Sequence, residues 1–394
     1  MNKRLGVCLL NDSFPPVIDG VANVVLNYAR IFQRDYADVV VATPRYPGEP
    51  DDYPFNVIRY PSVKTPITPD YRMGVPFPGI IRGLKHHPVD IIHCHCPFVS
   101  SLIAKPLRQA TGAPIIMTYH TKYDIDIEHS FGSELLRTAA KRLIVSRIES
   151  CDEVWAVSRG AGENLKSLGY CGDYQVMDNG VDFPKGPVPE HISLSTGAEI
   201  GLSGMPSDLP VFLYVGRMMW YKNLKLILEG LQKAKSAGAA FKMILVGGGE
   251  EYDEIVEFAH SLGLTNECVF TGPVRDREKL RAIYSRADMF LFPSTFDSAP
   301  LAVREAAACG LAGVFVRGSA SAEPATDGKN AVLIDEDPNS LASAVVDLSK
   351  NREYMKALGN RAMEELYLSW ETVAARVYER YCEILERSAS QKVV

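Results

Sequence analysis

Residues able to handle phosphates and sugar hydroxyls gather in two stretches of the second half of the chain. In the first, Gly216-Arg217 ends an apolar run and Lys222-Asn223 follows five residues later at a helix start. Arginine binds a diphosphate through paired N–H bonds, and lysine adds a point charge. A helix N-terminus at such a turn also offers unpaired N–H groups and a partial positive charge. Taken alone, the two cations read equally as solvated surface residues. The second stretch runs from Phe292-Pro293-Ser294-Thr295-Phe296-Asp297-Ser298-Ala299-Pro300-Leu301 through Glu305 to Ala308-Cys309-Gly310. Asp297 sits in a loop, and Glu305 lies eight residues on, in a helix that Pro300 can open and Gly310 can close. Carboxylates so placed suit sugar hydroxyls and a ribose diol, because they accept paired O–H bonds.

The first half offers fewer such groups. Asp19-Gly20-Val21 opens a helix, and His120 stands at a strand end, where a satisfied structural histidine is as common as a site residue. The quartet His93-Cys94-His95-Cys96 suggests a metal, yet structural zinc sites gather ligands from two separated pairs. No second CxxC or HxxxH is present. The quartet follows Val89–Ile92, a short buried strand whose side chains alternate faces. Strand-end packing or pocket lining is therefore expected, with no metal.

The elements that would position these residues follow an alternation of short apolar runs and amphipathic stretches, the pattern of parallel βαβ units. Strand-like runs are Leu5–Leu10, Asp38–Ala42, Val89–His93, Pro114–Thr118 and Glu153–Val157, then Pro210–Val215, Phe241–Val246, Cys268–Phe270, Met289–Phe292 and Ala312–Val316. Val21, Val24, Val25, Tyr28, Ala29 and Phe32 fall at the spacing of a core-facing helix. A Pro-, Gly- and Ser-rich stretch separates the two sets. We expect an N-terminal domain over 1–183, a linker over 184–209, a C-terminal domain over 210–369 and a last helix with its tail over 370–394.

Composition sets outer bounds. The 394 residues are 46% hydrophobic and 23% charged, with a net charge of −6. That is a soluble globular profile. The acidic balance disfavours a nucleic-acid binder, which would carry a basic footprint. The run Leu5–Leu10 is too short for a signal-peptide core, and no window reaches about 18 uninterrupted apolar residues. Irregular cysteine spacing fits a reducing cytoplasm better than a disulfide framework. A dinucleotide G-x-G-x-x-G is missing after the first strand, where Asn11-Asp12-Ser13-Phe14-Pro15-Pro16 stands instead. Gly247-Gly248-Gly249 has Tyr252 at the third glycine position, and no P-loop occurs.

The ordered set of motifs resembles the retaining glycosyltransferases of family 4, which have the GT-B fold. Besides the two stretches above, the motifs are Phe14-Pro15-Pro16-Val17-Ile18-Asp19-Gly20-Val21-Ala22, Thr118-Tyr119-His120-Thr121, Asn179-Gly180-Val181-Asp182 and Val246-Gly247-Gly248-Gly249. The resemblance covers almost the whole chain. It implies two doubly wound α/β Rossmann-like domains facing a cleft, with the last helix returning to the N-terminal domain. Arg217 and Lys222 would hold the donor diphosphate, Glu305 the ribose and Asp297 the transferred sugar. Gly20 would let backbone approach the diphosphate, and His120 would line the reacting centre. Further donor contacts are implied at Gly247, Gly248, Ser298, Ala299, Pro300 and Leu301, and acceptor contacts at Phe14, Tyr123 and Asp124. Two departures are visible: Asp297 replaces the family's first glutamate, and Tyr221 replaces the acid that commonly precedes its lysine.

Arg217 and Lys222 can take the role a divalent ion would play, so the expected reaction is metal-independent hexosyl transfer from a nucleoside-diphosphate sugar, a UDP-sugar being favoured, without a cofactor. Retention is what the resemblance implies. The acceptor is a membrane lipid such as diacylglycerol, or else a soluble sugar, sugar phosphate or polysaccharide. A non-catalytic nucleotide-sugar-binding protein and, more remotely, a nucleotide-sugar epimerase remain alternatives on a similar fold. Arg137, Lys141, Arg142 and Arg147 lie on one helical stretch with Leu135, Leu136, Leu143 and Ile144 between them. Such a helix either packs on its sheet or docks on an anionic membrane. The resemblance to bacterial diacylglycerol glucosyltransferases and phosphatidylinositol mannosyltransferases adds the second option. The expected location is the cytoplasm, with peripheral attachment to the inner face of the plasma membrane as that option's consequence.

Overall fold

The computed structural model describes residues 4–17, 19–48, 51–64, 71–130 and 132–391. Ile18 of the first motif and the last three residues of the tail lie outside the described residues. The chain divides into two compact units, residues 4–179 with 370–391, and residues 180–369.

The first unit is built on a seven-stranded parallel sheet. Its strands are β1 (Leu5–Leu10), β2 (Ala37–Pro44), β3 (Asn56–Tyr60), β6 (Ile91–Cys94), β7 (Ile115–Tyr119), β8 (Glu153–Ala156) and β9 (Gln175–Val176), in the order β3-β2-β1-β6-β7-β8-β9. A separate antiparallel ribbon pairs β4 (Ser62–Lys64) with β5 (Arg72–Gly74). Continuous apolar runs such as Val7–Leu10 suit a strand covered on both faces, and all four residues are 0% exposed. The chain leaves β1 for β2 on one side and returns to β6 on the other. This switch point brings the turns after β1, β6 and β7 together beyond the strand ends, where open α/β sheets bind ligands.

The last helix, Trp370–Gln391, packs on this first unit. Trp370 meets Tyr28 edge-on at 5.4 Å, and Tyr381 stacks on Trp155 at 5.8 Å. The two Arg380 nitrogens Nε and Nη2 donate to the Glu153 oxygens at 2.7 and 2.8 Å, and Arg387 reaches the same carboxylate at 2.5 Å. A paired, bidentate arginine fixes both the register and the rotation of the helix.

The second unit holds a six-stranded parallel sheet in the order β12-β11-β10-β13-β14-β15. The strands are β10 (Val211–Val215), β11 (Lys242–Val246), β12 (Cys268–Gly272), β13 (Met289–Leu291), β14 (Gly313–Val316) and β15 (Ala331–Ile334). Its switch point lies between β10 and β13, so the turns after β10, β11 and β13 converge.

Residues 184–209 do not run as a bare linker. They contain the helix Glu190–Gly197, capped by Pro189, and Val188 N–H donates to Ser285 Oγ at 3.0 Å. Serine, threonine and glycine in that helix hide any apolar stripe, so periodicity gives no warning of it. The domain change also falls earlier, at Asn179/Gly180, because Val181 bridges to Ser369 within the second unit.

Candidate active site

In the second unit, close backbone packing shapes the turn after β10. A Cβ on Gly247 would lie 1.8 Å from the Gly216 carbonyl oxygen, and one on Gly249 would lie 2.4 Å from that of Met218. Both positions therefore require glycine. Gly248 accepts from Met218 N–H at 3.0 Å, and Tyr214 OH donates to the Arg217 carbonyl at 3.0 Å. The glycine run thus fixes the path of the segment that carries Arg217. Its first and third members do this by packing, whatever donor contacts it also makes.

Lys222 ends a short 3-10 turn, and Asn223 follows in the left-handed region at φ 60°. Asparagine tolerates that conformation. Its amide donates to the Pro293 carbonyl at 3.0 Å and to Glu336 Oε1 at 2.6 Å, tying the turn to the exit of β13. Lys222 is 8% exposed, and its Nζ donates to Asp297 Oδ1 at 2.5 Å. The rings of Phe296 and Tyr221 lie 5.0 and 5.3 Å from the ammonium. A desolvated cation needs such a partner. Asp297 Oδ2 is buried with no hydrogen-bond partner.

Glu305 forms a second pair. Its Oε1 accepts from Arg277 at 2.7 Å and its Oε2 from Tyr284 OH at 2.8 Å. Arg277 also holds Asp182, with Nε 3.1 Å from Oδ2, and lies 4.3 Å above the Phe183 ring. A carboxylate has about four lone-pair sites, so two donors leave room for a diol. Ser298 is buried, and the helix Leu301–Ala308 starts one residue after Pro300. Pro300 is therefore the N-cap, with an extended ψ of 123°, rather than an early helical residue.

In the first unit, Gly20 starts the helix Gly20–Ile31 behind the cap residue Asp19, whose Oδ1 accepts from Ala22 N–H at 2.7 Å. A Cβ at Gly20 would meet nothing within 4 Å, so that backbone is open to approach. His120, just past β7, is 8% exposed, and its Nε2 lies 3.0 Å from Nδ1 of His95. Burial lowers the His120 pKa from 6.5 to about 3, so its imidazole is neutral. His93 contacts Tyr381 OH at 2.6 Å through Nδ1 and Thr118 Oγ1 at 2.7 Å through Nε2. Alternation along β6 puts His93 and His95 on one face, their rings 4.0 Å apart. Among the described residues no group of three or more His, Cys, Asp or Glu side chains is arranged to hold a metal ion.

The acceptor residues fare unequally. Phe14 is 0% exposed, packed edge-on against Tyr53 at 5.5 Å, so it belongs to the core and cannot touch an acceptor. Tyr123 is also buried, its ring edge-on to Phe98 and Tyr119. Asp124 is the second residue of the helix Tyr123–Ser130 and has a buried Oδ1 without a hydrogen-bond partner. Sequence reasoning missed Arg277, Tyr284 and Glu336 altogether. Arg275 to Lys279 reads as a run of solvated charge, and nothing local marks Arg277 as a partner of an acid 28 residues away. His95 carried a signal, since it stands two positions from His93 on a strand.

Two family models match the chain: "Glycosyltransferase Family 4" over residues 18–184 and "Glycosyl transferases group 1" over residues 199–365. A GDP-mannose-dependent alpha-mannosyltransferase of Corynebacterium glutamicum is 25% identical over 397 residues, spanning 98% of this chain and 91% of its own. An alpha-monoglucosyldiacylglycerol synthase of Streptococcus pneumoniae is 23% identical, spanning 99% and 88%. Among solved structures, sucrose-phosphate synthase from Thermosynechococcus elongatus is similar with a TM-score of 0.77 at 21% identity, covering 98% of this chain and 100% of its own. HepE of Anabaena in complex with UDP-glucose reaches 0.74 at 16% identity, covering 96% and 100%. With both models matched in this order on two doubly wound units, the chain is a glycosyltransferase of family 4 with the GT-B fold.

Proposed function

We propose that this glycosyltransferase transfers a hexose from a nucleoside-diphosphate sugar, with UDP-sugars favoured, to a membrane lipid such as diacylglycerol, without a metal and with retention at the anomeric carbon. The observation that carries the donor side is the Lys222–Asp297 pair with Asp297 Oδ2 buried and unpartnered. An orphaned buried acceptor is costly, by about 1–3 kcal/mol, and a sugar hydroxyl supplies the missing donor. Lys222 spends one of its three N–H donors on Asp297, which leaves two for the diphosphate. Asp297 is a methylene shorter than the family's glutamate.

The chemistry follows from charge. As the bond from the sugar C1 to the phosphate oxygen breaks, negative charge grows on the β-phosphate. Lys222, Arg217 and the N–H groups of the helix opening at Leu301 stabilise it. These fixed cations take the part a divalent ion plays elsewhere. The acceptor oxygen attacks C1 on the same face, and its proton passes to the departing phosphate. His120 is neutral, so it serves as a hydrogen-bonding group beside the sugar.

The lipid side rests on the helix Glu134–Ile148. Ile144, Val145 and Ile148 are buried, whereas Leu135 is 81% exposed and Leu136 and Leu143 are more than half exposed. Exposed leucines among Arg137, Lys141 and Arg142 fit an anionic lipid surface. No helix among the described residues is long and apolar enough to cross a membrane. The decisive experiment incubates the protein with UDP-glucose and GDP-mannose, with and without EDTA, and with diacylglycerol in anionic or neutral vesicles. Transfer from UDP-glucose that survives EDTA and is strongest on anionic vesicles supports the reading. Transfer that needs a divalent ion, or goes only to soluble sugars, refutes that part of it.

A further inference from the structure

We infer that His95 is a positioning residue for His120: its Nδ1–H donates to His120 Nε2 and so places the His120 proton on Nδ1. The inference rests on the reading of His120 as a group at the reacting centre.

Both rings sit at the ends of adjacent parallel strands, since Cys94 on β6 pairs with Met117 on β7. The backbone of His95 is fixed by its N–H donating to the Leu10 carbonyl at 2.9 Å. The ring is 1% exposed and lies 5.2 Å from that of His120, nearly parallel. Burial holds both imidazoles below their ordinary range, so each is neutral and carries one ring proton. The Nδ1–Nε2 contact at 3.0 Å therefore has one donor and one acceptor.

Two arrangements satisfy that contact, and the far side of His95 separates them. His95 Nε2 is buried and has no hydrogen-bond partner. If His120 were the donor, His95 would carry its proton on Nε2 and bury an orphaned N–H. If His95 is the donor, only a bare lone pair is left unpaired. Buried donors without partners are the rarer defect. His93 needs neither neighbour, because both its nitrogens meet hydroxyls, on Tyr381 and Thr118, which adapt to either tautomer. The contact thus gives His120 a single tautomer, with Nδ1–H as its remaining donor. A donor at that position binds a sugar oxygen; a general base would need a bare nitrogen there.

The test combines spectroscopy with kinetics. In the wild-type full chain, long-range 15N–1H NMR of the histidine rings should assign His120 as the Nδ1–H tautomer. His95→Phe keeps the volume and removes the donor. It should convert His120 to a tautomer mixture and lower kcat at least about tenfold, since a wrong tautomer in a catalytic imidazole costs far more elsewhere. The KM for UDP-glucose or GDP-mannose, whichever the wild type turns over, should stay within about twofold. His95→Asn, whose amide nitrogen can occupy the Nδ1 position, should restore most of the loss. An Nε2–H tautomer for His120 in the wild type overturns the inference whether or not the variants fold. So does unchanged kcat in His95→Phe when His120→Ala is inactive. Normal turnover in His120→Ala overturns instead the reading on which the inference stands.

Discussion

The histidine group of the first unit and the charge pairs of the second solve burial in opposite ways. Around His120, three imidazoles are stripped of water and held neutral, and their order comes from ring contact and shared protons. Around Lys222 and Glu305, charges are retained and each is matched: Lys222 with Asp297, Arg277 with Asp182 and Glu305. A neutral network can orient a reacting group and shape hydrogen bonds, but it offers no charge to a leaving group. A paired network holds charge in reserve and releases it when a ligand replaces one partner. Under the proposed function, binding of the diphosphate falls to the charged second unit, while the neutral imidazoles of the first contribute only hydrogen bonds.

Loss of charge should cost most. Lys222→Ala removes a cation from the developing phosphate and leaves Asp297 buried and unpaired. A fall of about 10³-fold in kcat/KM is expected, on the scale of one lost transition-state donor or more. Thermal shift with UDP should also weaken. His120→Ala should lower kcat by roughly 10²-fold or more while nucleotide binding, read by the same thermal shift, survives. If both variants lost binding equally, the division of labour would be wrong.

The neutral network makes a prediction of its own in pH. His120 titrates at about 3 in the folded chain against its ordinary 6.5. Between those values the unfolded chain binds more protons than the folded one, so stability rises with pH and falls on acidification. The slope is about 1.4 kcal/mol per pH unit for one fully developed histidine. Urea unfolding from pH 7 to pH 4.5 should show this loss beginning near 6.5, and His120→Ala should make it shallower. Turnover from pH 6 to 8 should carry no inflection from His120.

The two regions also differed in how legible they were. Parallel strands buried on both faces announce themselves as unbroken apolar runs, which is why β1, β2 and β10 were readable. β3, with Asn56 exposed and its middle only half-buried, and β15, four residues long, gave too little pattern. The motif stretches named Lys222, Asp297 and Glu305, but pairing across 75 residues leaves no mark in either segment. Phe14 shows the reverse error: it lies inside a motif, yet its apolar ring was free to serve the core. Strand alternation alone put His95 beside His93, and only the fold brought His120 to it.

Arg277 offers the finest separation between holding a charge and using it. It contacts Glu305 through a single nitrogen at 2.7 Å, while Tyr284 supports the other oxygen from a fully buried position. Its partner Asp182 is 44% exposed, so that arm of the cluster is screened by water and contributes little. Arg277→Ala should therefore leave Glu305 held by Tyr284 alone, with a weaker grip on the ribose. A rise of about three- to tenfold in donor KM with kcat within about twofold is expected, the signature of lost ground-state binding. Arg277→Lys should recover part of it, because lysine restores the charge without the fork that spans Asp182 and Glu305. A fall in kcat at unchanged KM would instead put Arg277 among the groups that respond to the transition state, and the boundary between holding and using charge would move with it.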